Sequence, residues 1–363
     1  MSYVTITVSF NVSDEPAELI LSTAWLFKIA THRVLEYAKN TPTLPASKIG
    51  WKNMFRSIAY DIISNRRYAD SAVILVMGIY ESCRQLGVNF KSVELSDWLM
   101  FQQSEKEYPP RNITIKSPEE AWVTIYSYDG RSERITLRIS TSGAYKELLE
   151  AILEEKQPYN PRIVVKSWNV REGRLYVRGE LQVSIPIDFY YKHMARYREP
   201  KSNLTGGVDV NVDRVNLAII DEKGNLRDTY TFWFREVTAR GYPRKRAWSV
   251  IGMRIHEMLR YAYHHGVSIL ALEDPDVLGR LRLMWIRNSR RLHEDYNWKV
   301  ATFRSRVIEM IALKAPLYSI RVVYVDPKGT TSSKKHDEAM KEHRLDKHTA
   351  SAYLIALKGL KQP

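Results

Sequence analysis

The chain is nearly devoid of cysteine: Cys83 stands alone among 363 residues. One thiol closes no disulfide within the chain and builds no cysteine-based zinc site by itself. It falls in a helical stretch, where a core or interface thiol is the natural reading. Also missing is any apolar run of the ~18 residues a transmembrane helix needs, so no membrane partner is expected. The opening residues MSYVTITVSF alternate like a strand and show no charged leader before an apolar core, so no signal peptide is expected either. These absences point to a cytoplasmic protein, nucleoid-associated when acting. What the chain has in excess is positive charge: 55 Lys+Arg against 41 Asp+Glu, a formal net charge of +14. That surplus favours a polyanionic partner, nucleic acid ahead of an anionic membrane surface. It is concentrated towards the C-terminus, where residues 206–363 hold 28 Lys+Arg and 18 Asp+Glu and the remainder holds 27 and 23.

At this length two or three domains fit. Residues 3–12 alternate, with Val4, Ile6, Val8, Phe10 and Val12 on one face. Ser13 and Asp14 then open a helix with Pro16 in its first turn, running to about residue 40. Two more helical stretches follow at 51–64 and 70–86. From about residue 111 the period returns to two, giving a β-meander that an amphipathic helix at 144–155 interrupts and strands at 163–170 and 175–187 resume. Strand, helical insertion, then strands predicts a β-barrel (1–12 and 108–199) with a helical lobe (13–107) inserted after its first strand. The polar stretch 199–205 reads as a linker. In residues 200–363 the order is β-β-β-α-β-α-β-α, that of an RNase H-like fold, a mixed α/β sheet flanked by helices.

The stretch 206–221, GGVDVNVDRVNLAIID, places Asp209 inside an apolar run. A carboxylate there is expensive unless paired, hydrogen-bonded or bound to a cation; alternation alone equally allows a solvent-facing position. Glu273 ends a buried strand and Asp346 opens the last helix. Singly, one could be a strand-ending charge and the other an N-cap. In an RNase H-like sheet, however, the three converge on one edge, where they would repel unless a divalent cation lay between them. Mg²⁺, with Mn²⁺ as substitute, takes a few carboxylates plus water and phosphate oxygens. Asp213, Asp274 and Asp276 fit turns. His336, His343 and His348 match no common zinc spacing, and a polar, Lys-rich loop over 328–344 is expected around the first two. Arg280, Arg282, Arg287, Arg290, Arg291 and Lys299, interleaved with Trp285, Tyr296 and Trp298 and continued by Arg304 and Arg306, form the mixture that neutralises phosphates and stacks bases. A solvated helix face with buried aromatics would give the same pattern.

The segments GVDVNVDRVNLAIID, ILALEDPDV, VVYVDPKGTTSS and LDKHTASAYLIALKG resemble, in order and spacing, the three RuvC-like motifs of the TnpB family. These are transposon-encoded proteins related to the type V CRISPR effectors. The segments PRKRAWSVIGMRIHEML and WKVATFRSRVIEMIALKAPLYSIRVVYVDP are similar to their counterparts there. The resemblance covers about residues 200–363; further upstream only the architecture agrees, the family having a wedge-type barrel with an inserted recognition lobe. It implies an RNA-guided, Mg²⁺-dependent DNA endonuclease of a mobile element, with guide RNA and target DNA as partners. It puts the catalytic, metal-holding trio on Asp209, Glu273 and Asp346. One departure stands out: KKHDEAMKEHR replaces the family's four-cysteine ribbon, so zinc is not expected. Two other functions stay open here. One is a nucleic-acid-binding regulator that kept the fold without efficient cleavage, which the lost ribbon favours. The other is an unguided, resolvase-type nuclease, for which the N-terminal parts would be superfluous.

Overall fold

In a computed structural model of the chain the described residues are 2–141, 143–200, 202–275, 283–286, 292–330 and 333–362; at 285–286, 292–299 and 301–302 the description is of the backbone alone. The chain forms two units, Thr5–Pro186 with Arg280–Ser289, and Met1–Val4 with Ile187–Gly279 and Arg290–Pro363.

In the first unit, strand β1 (Tyr3–Ser13) buries Val4, Ile6, Val8 and Phe10, as its alternation predicts. Helices α1 (Asp14–Asn40), α2 (Lys48–Tyr60) and α3 (Arg66–Leu86) follow and pack on one another. Asn65 caps α3 by accepting from the N–H groups of Arg67 and Tyr68, and Gly87, at φ 67°, ends it in the left-handed region. Next come β2 (Val93–Leu95), β3 (Leu99–Gln102), β4 (Ile113–Ser117), β5 (Glu120–Tyr126), β6 (Ser132–Ser140), α4 (Ala144–Glu154), β7 (Asn160–Arg171) and β8 (Arg174–Pro186). Seven strands make one sheet in the order β3-β7-β8-β1-β6-β5-β4. It is a curled antiparallel sheet: the Ile115 N–H on edge strand β4 donates to the Tyr159 hydroxyl just ahead of β7, at 2.8 Å. Two details depart from the expected division. Strand β3 lies in the sheet although its residues fall in the stretch read as a helical lobe. The short strand β13 (Met284–Ile286), from far downstream, pairs with β2. Cys83 is buried with its S–H directed at the Met284 sulfur, 4.0 Å away, and burial pushes the thiol up to about 11.

The second unit contains α5 (Ile187–Met194), β9 (Leu204–Val210), β10 (Arg214–Ile220), β11 (Leu226–Trp233), α6 (Arg244–His264), β12 (Val267–Glu273), α7 (Leu292–Lys314), β14 (Arg321–Val325), α8 (Lys334–Glu342) and α9 (Lys347–Gly359). It takes in residues from Ile187 on, which belong to the stretch 108–199 assigned above to the barrel, and the first of them form α5. The sheet order is β11-β10-β9-β12-β14. Strands β9 to β11 are an antiparallel meander, and β12 runs parallel to both β9 and β14. Helix α9 buries Ala350, Ala352, Tyr353, Leu354 and Ala356 against Ala218 and Ile220 of β10. It can lie that low because Gly207 has no side chain. A Cβ there would run into the Ala352 carbonyl and the Ala356 nitrogen, both backbone atoms.

This close approach yields a direct test. Gly207→Ala should destabilise the protein by about 1–3 kcal/mol or more, since the obstructing atoms are main chain and cannot rotate away. Denaturant titration checks it, and an unchanged midpoint would mean that α9 does not seat on β9 as described.

Candidate active site

Strand pairing decides where Asp209 points. Residues directly opposite each other in a sheet share a face, so Gly207, Asp209, Asn216 and Ala218 all face α9. The parallel ladder from β9 to β12 pairs Gly207 with Ala271 and ends at Val208–Leu272. Glu273 is one step further, so it lies beside Asp209 on that same face. Both are shielded from water, at 2% and 5% exposure. The solvent-facing alternative for Asp209 is therefore wrong: a helix covers the face that alternation left open.

Two carboxylates side by side out of water need a positive partner. Arg304, from α7, supplies it, with one terminal guanidinium nitrogen 2.9 Å from Glu273 Oε2 and 3.5 Å from Asp209 Oδ1. The Thr330 hydroxyl donates to Glu273 Oε1 at 3.0 Å. On the other side, Asp209 Oδ2 accepts from Asn211 Nδ2 at 2.7 Å and faces His348 Nδ1 at 3.3 Å. A carboxylate only accepts, so the Nδ1 of His348 carries the proton in that contact. Burial pushes the Glu273 carboxyl above its usual range; Arg304 opposes this and the charge of Asp209 adds to it.

Asp346 is the N-cap of α9, accepting from the N–H groups of His348 (2.9 Å) and Thr349 (3.3 Å) and from the Thr349 hydroxyl. Burial works against its charge, yet these bonds prevail and hold the carboxyl below its ordinary value. His348 thus connects Asp346, through its main chain, to Asp209, through its ring. Behind them Asn216 Nδ2 donates to the Thr231 hydroxyl at 2.8 Å and approaches that of Thr349 at 3.4 Å. Among the described residues, Asn216 Oδ1 and Arg304 Nε are buried without a partner. No group of three His, Cys, Asp or Glu side chains is arranged to hold a metal among those residues. Asp209 and Glu273 are gathered about a guanidinium instead, and Asp346 is joined to them through His348.

Arg304 sits on the carboxylates rather than free for phosphate, and Arg306 lies over the Trp248 ring at 4.3 Å. Arg280, Arg282, Arg287, Arg290, Arg291 and Asp276 lie outside the described residues, as does the Lys299 side chain. Asp213 pairs with Arg214 at 3.3 Å. The expected loop over 328–344 is largely α8, and His336 is not solvated: it is buried, with Nε2 2.9 Å from the Lys347 carbonyl oxygen. His343 meets the Tyr353 ring edge-on, so the three histidines make three separate contacts. The sequence reading missed Asn216, Thr330, Thr349 and the ring of His348 as supports. An asparagine inside the apolar run VNLAII was the signal for the first.

The family model for the SSO2105 N-terminal domain matches residues 3–195. The chain belongs to the SSO2105 family. Two uncharacterized proteins of Aeropyrum pernix are each 59% identical over 362 residues, spanning 100% of this chain and 98% and 87% of their own lengths. The uncharacterized protein SSO2105 of Saccharolobus solfataricus is 26% identical over 318 residues, 83% of this chain and 79% of that one. T. thermophilus RuvC in complex with a Holliday junction substrate shows a weak structural similarity: 15% identity over 43% of this chain and 91% of that one, at a TM-score of 0.30. A likeness that slight says nothing about this family's chemistry. Among the described residues no helix is long and apolar enough to cross a membrane.

Removing the cation of the site has a calculable direction. Arg304→Met should cost roughly 3 kcal/mol in metal-free buffer, because breaking a buried pair strands its partner charges. Added Mn²⁺ should raise the melting temperature of the variant more than that of the parent. Equal melting of the two proteins in chelator would show that the guanidinium does not hold the carboxylates.

Proposed function

We propose that this chain is a metal-dependent nuclease, and more specifically an RNA-guided DNA endonuclease of the TnpB type. The observation that carries the reading is the Asp209–Glu273 pair, two buried carboxylates adjacent on parallel strands with a cation spanning them. For stability alone an apolar pair would serve as well or better, so the pair speaks for chemistry. Support also comes from the sheet order of the second unit, which fits an RNase H-like fold. The curled sheet with helices following its first strand fits a wedge-type barrel with an inserted lobe, and the net charge of +14 fits nucleic acid as partner.

The donor set suits Mg²⁺ or Mn²⁺, since it is made of hard carboxylate oxygens and already accommodates a cationic group. In this reading Asp209 and Glu273 would hold the ion and Asp346, joined to them here through His348, would complete the set; when bound, the ion would supply an activated water and stabilise the leaving oxygen of a phosphodiester. The chain's own groups set the geometry. Asn211 and His348 orient Asp209, Thr330 orients Glu273, and Thr349 with the helix amides orients Asp346 and keeps it charged. Pairing with a guide RNA would select the DNA, and the protein would read shape and a short flanking motif. One observation favours a second reading, a nucleic-acid-binding regulator with impaired cleavage: the guanidinium of Arg304 lies where the ion would be held.

The test is cleavage of DNA by the full chain with the RNA that copurifies with it. In Mg²⁺ or Mn²⁺ the parent should cut, while Asp209→Asn and Glu273→Gln should each abolish cutting and leave RNA binding unchanged. Cutting by Asp209→Asn at the parental rate would remove the site assignment. Tight target binding with no cutting in either metal would select the regulator.

A further inference from the structure

A second cationic feature lies on the same sheet face as the carboxylates, and the sequence reading did not single it out. Asp209 pairs with Asn216 across β9 and β10, and Asn216 pairs with Thr231 across β10 and β11. These three therefore face the same way. Two residues further along β11 is Trp233, which shares that face and pairs with Arg214. With strands about 4.8 Å apart and a rise of about 3.3 Å per residue, Trp233 is about 12 Å from Asp209 along the sheet. Strand β11 is an edge strand, so nothing in the sheet lies beyond Trp233.

The indole is 37% exposed and holds two guanidinium groups, Arg235 at 3.7 Å and Arg214 at 4.6 Å from its ring. Arg214 also meets Asp213 at 3.3 Å, and the neighbouring Glu236 is exposed. Arg235 forms no ion pair among the described residues. An aromatic ring attracts a guanidinium by only about 0.5–1 kcal/mol at an exposed site. Two arginines gathered on one tryptophan, with a single carboxylate between them, make a weak structural element. They make a good receptor: the ring restrains both guanidinium groups, Arg214 gives one N–H group to Asp213, Arg235 has no ion pair among the described residues, and the planar fork matches phosphate.

We infer that Trp233, Arg214 and Arg235 form a clamp for the phosphodiester backbone of a polynucleotide whose strand runs along this sheet edge towards the carboxylates. The inference deepens the nuclease reading by giving its substrate a path. Trp233 positions the two arginines, and the arginines make the contact.

The experiment is fluorescence anisotropy of a 5′-labelled, mixed-sequence 20-nucleotide single strand, as DNA and as RNA, titrated with the full chain in chelator over a salt series. The Arg214→Gln/Arg235→Gln double variant should bind more weakly, with the slope of log affinity against log salt reduced by about 1.4, or 0.7 per lost phosphate contact. Trp233→Leu should also weaken binding. An effect on one labelled strand alone identifies the strand that follows this path. If the double variant does not fold, Arg235→Gln, at an exposed position, should still lower the slope by about 0.7. Affinity and slope equal to the parent's in both strands would overturn the clamp. Because metal is absent, the result is independent of cleavage: the clamp can stand where Asp209→Asn refutes the nuclease, and can fail while the carboxylate site stands.

Discussion

Two carboxylates on adjacent parallel strands, on a face sealed by a helix, set the terms for the second unit of this protein. Asp209 and Glu273 would repel each other strongly at low dielectric unless a positive group lay between them. The guanidinium of Arg304 resolves the conflict by reaching both. That solution depends on the backbone. Gly207 lets α9 sit against β9, the parallel register brings Glu273 level with Asp209, and α7 presents Arg304 at the ends of both strands. Each of these features has an ordinary structural reason, yet together they concentrate charge at the carboxyl ends of two central strands.

The third carboxylate is treated differently. Asp346 receives two backbone N–H groups and a hydroxyl at a helix N-terminus, an environment that favours the ionised form. Glu273 is pushed the other way by burial. One sheet edge thus holds a carboxyl that tends towards its proton and another that gives it up readily. His348 ties the two environments together, its amide on Asp346 and its ring on Asp209. Nearby, Asn216 and Thr349 continue the polar chain beneath α9, so the site rests on a connected set of hydrogen bonds rather than on isolated side chains.

Much of this was legible in the sequence because the relevant signals are local. The alternation of β1 and the apolar run leading to Glu273 both reflect burial set by neighbours a few residues away. Asp209, Glu273 and Asp346 could be singled out because each sits at an element position where a charge has a cost or a capping use. What stayed hidden depends on pairing between distant segments. Nothing in Met284–Ile286 announces that it pairs with Val93–Leu95, and nothing in the chain order shows that Arg304 turns inward while Arg306 stacks on Trp248. The stretch 328–344 looked like a solvated loop because its lysines outnumber its apolar residues. Its helix buries only His336 and Ala339, too short a stripe for periodicity to reveal.

In the proposed function Asp209 and Glu273 together make a cation site, which Arg304 fills when no divalent ion is bound. Electron paramagnetic resonance of Mn²⁺ titrated into the protein tests this without any substrate. Saturable binding is expected, weakened by Asp209→Asn and by Glu273→Gln and strengthened by Arg304→Gln. Saturable binding indifferent to all three substitutions, or none at millimolar Mn²⁺, would contradict the cation site.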